Sequence, residues 1–275
     1  MTFRAARVSR VAAPEHTCWA FDDDRSFCRY AREFLHAGLG HGEQVWYVPG
    51  PRSGGVAEWL RDAARGREES VRILAPEVAY PADGFIDPAE QITAYVAATE
   101  AALAAGFTGL RVVADATTLI RTAAHLDAFA RYEFAIGRYM RIAPLRALCV
   151  FDRTTLGDDT VAELACLHPS TNAPGVPFRL QAGATARVAV LHGELDVASV
   201  DLFAAAIRRA DLRPARGTVV VHAEGLRFIG HHCLAVLQRY AEQRAVTVVI
   251  RTRLRTVPTM VDLLGLSRIR VEMIA

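Results

Sequence analysis

Short apolar runs alternate with amphipathic stretches of helical length over the first part of the chain. Between His16 and His168 this alternation occurs five times. The apolar runs are "HTCWAF", "EQVWYV", "SVRILA", "GLRVVAD" and "LRALCVF", and they are followed in turn by "DRSFCRYAREFLHAGL", "GGVAEWLRDAARG", "DPAEQITAYVAATEAALAAG", "AAHLDAFARYEFAIGRYM" and "GDDTVAELACLHP". Buried strands that alternate with helices are typical of a parallel sheet covered on both faces. The pattern therefore predicts an α/β domain over residues 14–175.

Single residues indicate where the first and third of these helices begin and end. Asp24 and Asp87 stand at the predicted starts, because a carboxylate there accepts hydrogen bonds from free backbone N–H groups. Gly38 and Gly106 stand at the predicted ends, because glycine readily adopts the left-handed conformation that closes a helix.

A second series of strand and helix patterns occupies residues 184–275. Its strands are "ARVAVLHG", "GTVVVHA", "VTVVIR" and "RIRVEM", and its helices are "VASVDLFAAAIRRA", "HHCLAVLQRYAEQRA" and "VPTMVDLLGL". Between the two series lies the proline-containing stretch "HPSTNAPGVPFRLQAGAT", which has no periodicity. We therefore predict a linker at residues 176–183 and a second, small α/β domain after it.

Composition and cysteine usage narrow the class of protein. The 275 residues are 52% hydrophobic and 23% charged, and no apolar run approaches the ~18 residues of a membrane span. The N-terminus lacks the apolar core of a secretory signal. The five cysteines form no C-x-x-C pair, so we expect a cytoplasmic protein without disulfides and without a membrane partner.

The charged residues exclude several function classes. The formal net charge is only +2, and the basic residues are spread along the chain among the acidic ones, so nucleic acid is not an expected partner. All basic residues are arginine. Schiff-base chemistry, pyridoxal phosphate attachment and the ordinary phosphate-loop lysine are therefore excluded.

The segment "EQVWYVPGPRSGGVAEWL" carries the first candidate site. Gly50 and Gly55 have the spacing of a phosphate loop between a strand and a helix, but Val56 and Ala57 replace the lysine and the hydroxyl residue that follow in such loops. Small ligands of open parallel sheets bind at the carboxyl ends of the strands. The residues predicted to line such a crevice are Gly50, Arg52, Gly54, Gly55 and Asp115, with the alternative that they only form tight turns. His16 and Cys18 share one face of a strand and are predicted as core residues.

Three segments of the second half, "LHGELDVASVDLFAAAI", "GTVVVHAEGLRFIGHHCLAVL" and "TVPTMVDLLGLSRIRV", resemble in order and spacing the STAS domain of anti-sigma factor antagonists. The resemblance covers about residues 184 to 275. It implies a small sheet packed against helices, with partner proteins docking at the start of the helix after an "F-I-D-S-S-G" turn. In regulated members, a partner kinase that is also the anti-sigma factor phosphorylates a serine of this turn.

This chain departs from that turn. Gly230 replaces the aspartate, His231 and His232 replace both serines, and Cys233 replaces the glycine. We therefore expect a constitutive docking module without the usual phosphoserine, with a relocated switch as the alternative. Further alternatives are metal binding by His231, His232 and Cys233 together with His192 and His222, proton sensing by the two adjacent histidines, and a reactive Cys233 thiol. Each is weaker than an ordinary structural role.

The first half resembles the MEDS domain, a sensory module of methanogen, methylotroph and dichloromethane-regulator proteins. The resemblance rests on the "H-x-C" opening, the "GLGHGE" before the second strand, and the "LCVFD" and "HP" that close the region. It covers about residues 14 to 172. It implies an architecture akin to the RecA/KaiC type of phosphate-loop domain, with the catalytic apparatus eroded, and a sensory role whose ligand is not specified.

Taken together, these features predict a non-enzymatic regulatory protein in which a sensory domain is fused to a docking domain. The expected partner is a kinase-like anti-sigma factor, an unidentified small molecule is the expected ligand of the first domain, and self-association is left open. No cofactor, metal or catalytic residue is predicted. The alternatives are a nucleotide-binding protein that uses the degenerate loop with Asp115, and a metal- or redox-responsive module at His231, His232 and Cys233.

Overall fold

The computed structural model describes residues 15–52 and 54–274, which form two β-sheets with helices packed against them. Residues 1–14, for which the absence of a secretory signal was predicted, lie outside the described residues. The strands are β1 His16–Phe21, β2 Gln44–Val48, β3 Val71–Ile73, β4 Leu110–Asp115, β5 Leu145–Asp152, β6 Ser170–Thr171, β7 Phe178–Ala182, β8 Val188–Leu195, β9 Thr218–Ile229, β10 Thr247–Thr252 and β11 Ile269–Met273. The α-helices are α1 Asp24–Gly40, α2 Val56–Ala63, α3 Pro76–Ala79, α4 Pro88–Ala104, α5 Ala123–Met140, α6 Arg153–Leu156, α7 Asp158–Ala165, α8 Val200–Ala210, α9 His231–Gln243 and α10 Thr256–Leu263. No helix of this described part has the length and apolar character needed to cross a membrane.

The first sheet has six strands in the order β3-β2-β4-β5-β1-β6, and all neighbouring strands are parallel. Helices α1 and α2 pack on one face, and α4, α5 and α7 pack on the other. Every residue of β4 is buried, as expected for a central parallel strand covered on both sides. The predicted α/β class with a parallel sheet is confirmed.

Two of the four predicted helix ends need correction. Asp87 caps α4 as predicted, and Gly106 follows that helix with a positive φ of 91°. The cap of α1, however, is Asp23, whose carboxylate accepts hydrogen bonds from Arg25 N and Ser26 N. Helix α1 also continues past Gly38 to Gly40. Gly38 is a glycine for a different reason, because a Cβ there would collide with the side chain of Arg111.

Arg111 belongs to a buried ionic network at the amino ends of the strands. Its side chain is 2% exposed, and its Nε lies 2.5 Å from Oε2 of Glu43, which is also 2% exposed. Arg146 pairs with the same carboxylate, and Glu15 lies 3.1 Å from Arg111 Nη2. The Arg111 guanidinium stacks on the Phe34 ring at 4.4 Å. This network fixes β4 and β5 against the loop that precedes β2.

The second sheet has five strands in the order β11-β10-β9-β8-β7. Strands β8 to β11 are parallel, and β7 pairs antiparallel with β8. The segment predicted as a linker, residues 176–183, thus contains an edge strand. Along this strand, the buried residues Phe178, Leu180 and Ala182 alternate with half-buried ones. The alternation of buried and half-buried positions covers only five residues and is flanked by proline and glycine, so it is too short to predict a strand from the sequence.

Candidate functional site

The residues predicted to line a crevice at the carboxyl edge of the first sheet fall into separate contacts. Arg52 lies 2.7 Å from Asp24 and 3.1 Å from Asp152, and it also donates to Thr154 Oγ1 at 3.1 Å. Burial opposes ionisation of Asp152, but hydrogen bonds from Thr154, Thr155 and Arg52 outweigh it and hold the pKa of Asp152 below its ordinary value. Arg52 therefore ties the loop after β2 to the ends of β1 and β5.

Gly50, in the loop after β2, lies next to Asp115 at the end of β4. A Cβ at Gly50 would overlap the carboxylate of Asp115, so only glycine allows this close approach. Asp115 is 3% exposed and accepts a hydrogen bond from Thr117 N at 3.0 Å. Burial raises its pKa. Gly54 and Gly55 contact α1 instead. The carbonyl oxygen of Gly54 accepts a hydrogen bond from Cys28 Sγ at 2.9 Å, and that of Gly55 accepts one from Arg32 Nη2 at 3.2 Å.

A surface cavity of about 340 Å³ adjoins the loop. Its lining includes Gly50, Tyr80, Leu119 and Arg121. Of the five residues predicted for the crevice, Gly50 alone is part of this lining. The structure therefore brings Gly50 to Asp115 and Arg52 to Asp152, but it does not bring all five residues to one pocket.

The predicted docking position is the start of α9. Gly230 is the N-cap and donates its N–H to Leu195 O at 2.7 Å. His231 and His232 are exposed, and their ring centroids are 3.9 Å apart. Cys233 is fully buried, donates to Asp196 O at 3.4 Å, and has its pKa raised by burial. Since a reactive thiol requires exposure and a lowered pKa, a redox role of Cys233 is not favoured.

The five residues of the sequence-based metal hypothesis do not converge. They are His192, His222, His231, His232 and Cys233, and they form no group with metal-ligand spacing within the part of the chain that the structure describes.

A different group of four side chains does converge on one face of the first sheet. His16 opens β1, Cys149 lies in β5, Glu133 lies in α5, and His168 follows α7. His16 pairs with Ala147 in the neighbouring strand, and Cys149 lies two residues further on, hence on the same face of the sheet. Helix α5 covers that face and directs Glu133 towards it. We call these four residues the His–Glu–Cys cluster.

The distances in the His–Glu–Cys cluster are short, and all four residues are buried. His16 Nε2 lies 2.9 Å from Glu133 Oε2, and His168 Nε2 lies 3.3 Å from the same oxygen. Cys149 Sγ is 3.6 Å from His16 Nε2 and 3.6 Å from Glu133 Oε2. The two imidazole rings are 4.2 Å apart. A carboxylate, two imidazoles and a thiol thus face one point.

Burial dominates the electrostatics of this cluster. Burial and the neighbouring His168 lower the pKa of His16, although the hydrogen bond with Glu133 acts in the opposite direction. Burial opposes ionisation of Glu133, but its contacts with the two histidines outweigh this and lower its pKa. Burial and the adjacent Glu133 carboxylate raise the pKa of Cys149 well above its ordinary value.

A small cavity of about 20 Å³ adjoins the His–Glu–Cys cluster, enough for about one water-sized centre. His16, Glu133 and Cys149 contribute to its wall. The rest is mainly aromatic and aliphatic and includes Tyr95 and Tyr132, which pack against each other with ring centroids 6.4 Å apart. The cluster therefore lies at the edge of an apolar void in the core.

The motifs quoted from the sequence contain three of the four residues of the cluster. His16, Cys149 and His168 belong to the "H-x-C", "LCVFD" and "HP" motifs, but Glu133 was not singled out. The available signal is the position of Glu133 in the helix, where Phe129, Tyr132 and Ile136 form the buried face. A carboxylate between such residues requires a buried partner, because burying an unpaired charge is costly.

Comparison with known families confirms the resemblance that the first half of the chain shows to the MEDS domain. A family model described as MEDS, the methanogen/methylotroph, DcmR sensory domain, matches residues 15–169. No curated protein and no solved structure matches the chain. The matched segment is more than half of the chain and contains five of the six strands of the first sheet, all but β6, together with the entire His–Glu–Cys cluster. The chain therefore belongs to the family of the MEDS sensory domain.

Proposed function

We propose that this chain is a non-enzymatic regulatory protein in which the MEDS domain senses a small molecule and the second sheet passes the response to a protein partner. The membership of the MEDS family supports a sensory role of the first part. The observation that carries the proposal is the contact of Arg209 with the two helices next to the His–Glu–Cys cluster.

Arg209 lies in α8 of the second part, and its side chain is 5% exposed. Its Nε lies 2.6 Å from Asp127 Oδ1 in α5, and its Nη1 lies 2.5 Å from Glu163 Oε2 in α7. Helix α5 carries Glu133, and His168 follows directly after α7. A displacement of either helix at the cluster therefore moves a direct partner of α8, and α8 packs against α9.

This coupling can be tested by hydrogen–deuterium exchange. In the otherwise unchanged chain, Glu133→Gln weakens the contacts of Glu133 with the two histidines, and we expect faster exchange in α8 as well as in α5. In an Arg209→Met background, the additional effect of Glu133→Gln on α8 should disappear.

Arg208→Met is the matched control for this experiment. Arg208 is the neighbouring residue, its side chain is 57% exposed, and it lies 3.8 Å from the same Asp127 carboxylate. In this background α8 should still respond to Glu133→Gln. An equal response in the Arg209→Met and Arg208→Met backgrounds would argue against transmission through Arg209.

The resemblance to STAS domains leads us to propose the start of α9 as the docking surface and a kinase-like anti-sigma factor as the partner. Two features of this position support docking. His231 and His232 project from it, and the side chain of Phe228 just before it is 51% exposed. Exposed aromatic side chains are enriched at protein interfaces. The buried Cys233 would anchor the helix start rather than contact the partner.

Affinity capture with the full chain as bait tests the docking proposal, since β7 belongs to the second sheet and must be retained. We expect capture of an anti-sigma factor with a kinase fold from native lysate, and at least a tenfold lower yield with His231→Glu/His232→Glu. The variant His36→Glu/His41→Glu makes the same exposed charge change in the first part and should capture normally. Equal yields from both double variants, or no such partner with the unchanged bait, would contradict the proposal.

A further inference from the structure

We propose that the His–Glu–Cys cluster is a binding site for one transition-metal ion of the zinc class, held by His16, Glu133, Cys149 and His168. This goes beyond the proposed regulatory function and does not depend on the docking partner. The four side chains offer one potential ligand atom each, and these atoms all lie within 4.8 Å of one another.

Three separations between ligand atoms match those around a tetrahedral ion. Bonds of about 2.0–2.3 Å to nitrogen, oxygen and sulfur place neighbouring ligand atoms about 3.3–3.7 Å apart. The Cys149 Sγ lies 3.6 Å from each of its two neighbours, and His168 Nε2 lies 3.3 Å from Glu133 Oε2. The hydrogen-bonded pair of His16 and Glu133 is closer, at 2.9 Å, and the remaining ligand atoms lie within 4.8 Å of one another.

The hydrogen bond of His168 to the backbone places the ring proton on Nδ1 and leaves Nε2 directed into the cluster. Its Nδ1 lies 3.0 Å from Leu164 O, a backbone carbonyl that can only accept, so Nδ1 carries the proton. A ring that carries only this proton presents the lone pair of Nε2 to the cluster, 3.3 Å from Glu133 Oε2, where it can bind a cation. A ligating histidine that donates its other N–H to a backbone carbonyl is the arrangement usually found at metal sites.

Three polar atoms of the cluster have no hydrogen-bond partner among the described residues. They are His16 Nδ1, His168 Nε2 and Glu133 Oε1, each on a residue that is at most 1% exposed. Buried polar atoms are nearly always paired, because an unpaired group costs the full penalty of its desolvation. A bound ion would satisfy His168 Nε2 directly and would compensate the carboxylate charge.

The donor set indicates which ions fit. Two imidazole nitrogens, one carboxylate oxygen and one thiolate suit Zn²⁺, and Co²⁺ as its substitute, whereas Mg²⁺ and Ca²⁺ prefer oxygen ligands only. The wall of the adjoining cavity is mainly aromatic and aliphatic and offers few groups that would compete for the ion. Binding would displace the proton of the Cys149 thiol, as metal coordination does with thiols generally.

The test uses the full chain produced in minimal medium with Co²⁺, because all four side chains are buried and the ion must enter as the protein folds. We expect about one cobalt per chain by elemental analysis, visible absorption bands of tetrahedral Co²⁺, and a near-ultraviolet band from thiolate to cobalt. Zn²⁺ supplied during production should replace Co²⁺ at the same stoichiometry. A chain that folds in these media but contains neither metal would overturn the proposal.

Variants separate this site from binding elsewhere. Cys149→Ser should abolish the thiolate band, and Glu133→Gln should lower metal content more than about tenfold, at least the loss seen when supporting residues of metal sites are changed. Cys166→Ser, at another fully buried cysteine of the same domain, is the matched control and should keep both signals. Cys149→His preserves a ligand and should bind cobalt without the thiolate band, which keeps the test decisive if Cys149→Ser does not fold. Full metal content in Cys149→Ser and Glu133→Gln would refute the assignment.

Discussion

Glu43→Leu is expected to lower the free energy of unfolding by about 3–5 kcal/mol, the cost of removing one partner from a buried ion pair. Among the described residues, the substitution leaves the guanidinium of Arg111, whose side chain is 2% exposed, with only the half-exposed Glu15 as a charged partner. Desolvation of the arginine is then no longer offset. Chemical denaturation followed by circular dichroism measures the change.

Replacing both partners tests the physical cause. Arg111→Met/Glu43→Leu leaves no uncompensated charge, so it should be more stable than either single variant. Arg65→Met removes an exposed pair, in which the arginine is 80% and Asp62 is 61% exposed, and should cost less than about 1 kcal/mol. A double variant as unstable as the sum of the two single variants would contradict this interpretation.

Phe178→Ala is expected to cost about 3–5 kcal/mol, as truncation of a buried aromatic side chain does. Phe178 is 1% exposed, and its ring contacts Phe203 of α8 edge-on, with centroids 5.6 Å apart. The substitution therefore opens a cavity between the edge strand β7 and α8. The free energy of unfolding from denaturant titration is again the measurement.

The same variant distinguishes an integral strand from a linker. In a linker, a change to alanine would alter the stability by no more than about 0.5 kcal/mol. Gln181→Ala is the control within β7, since its side chain lies between the inward positions of Leu180 and Ala182 and is only half-buried. A loss at Phe178 no larger than the loss at Gln181 would mean that β7 contributes nothing to the core.

The candidate sites show where reasoning from the sequence stops. Gly50 and Asp115 were singled out from a loop spacing and a strand end, and the two residues do meet, but as a close contact of backbone and carboxylate. Arg52 was placed in a ligand crevice, whereas its guanidinium is held by Asp24 and Asp152. A side chain that reaches over a loop selects its partners from strands distant in sequence, and the spacing within the loop carries no information about them.

Apolar periodicity along the chain was sufficient to predict the α/β class, the five strand–helix repeats of the first part and the elements that follow β7, because periodicity is a local property that strands and helices impose on the sequence. Short motifs were sufficient to predict the MEDS family. The His–Glu–Cys cluster and the contacts of Arg209 required the folded chain. His16 and Glu133 are 117 residues apart, and they meet because β1 lies beside β5 under α5, an order of strands that no local pattern encodes.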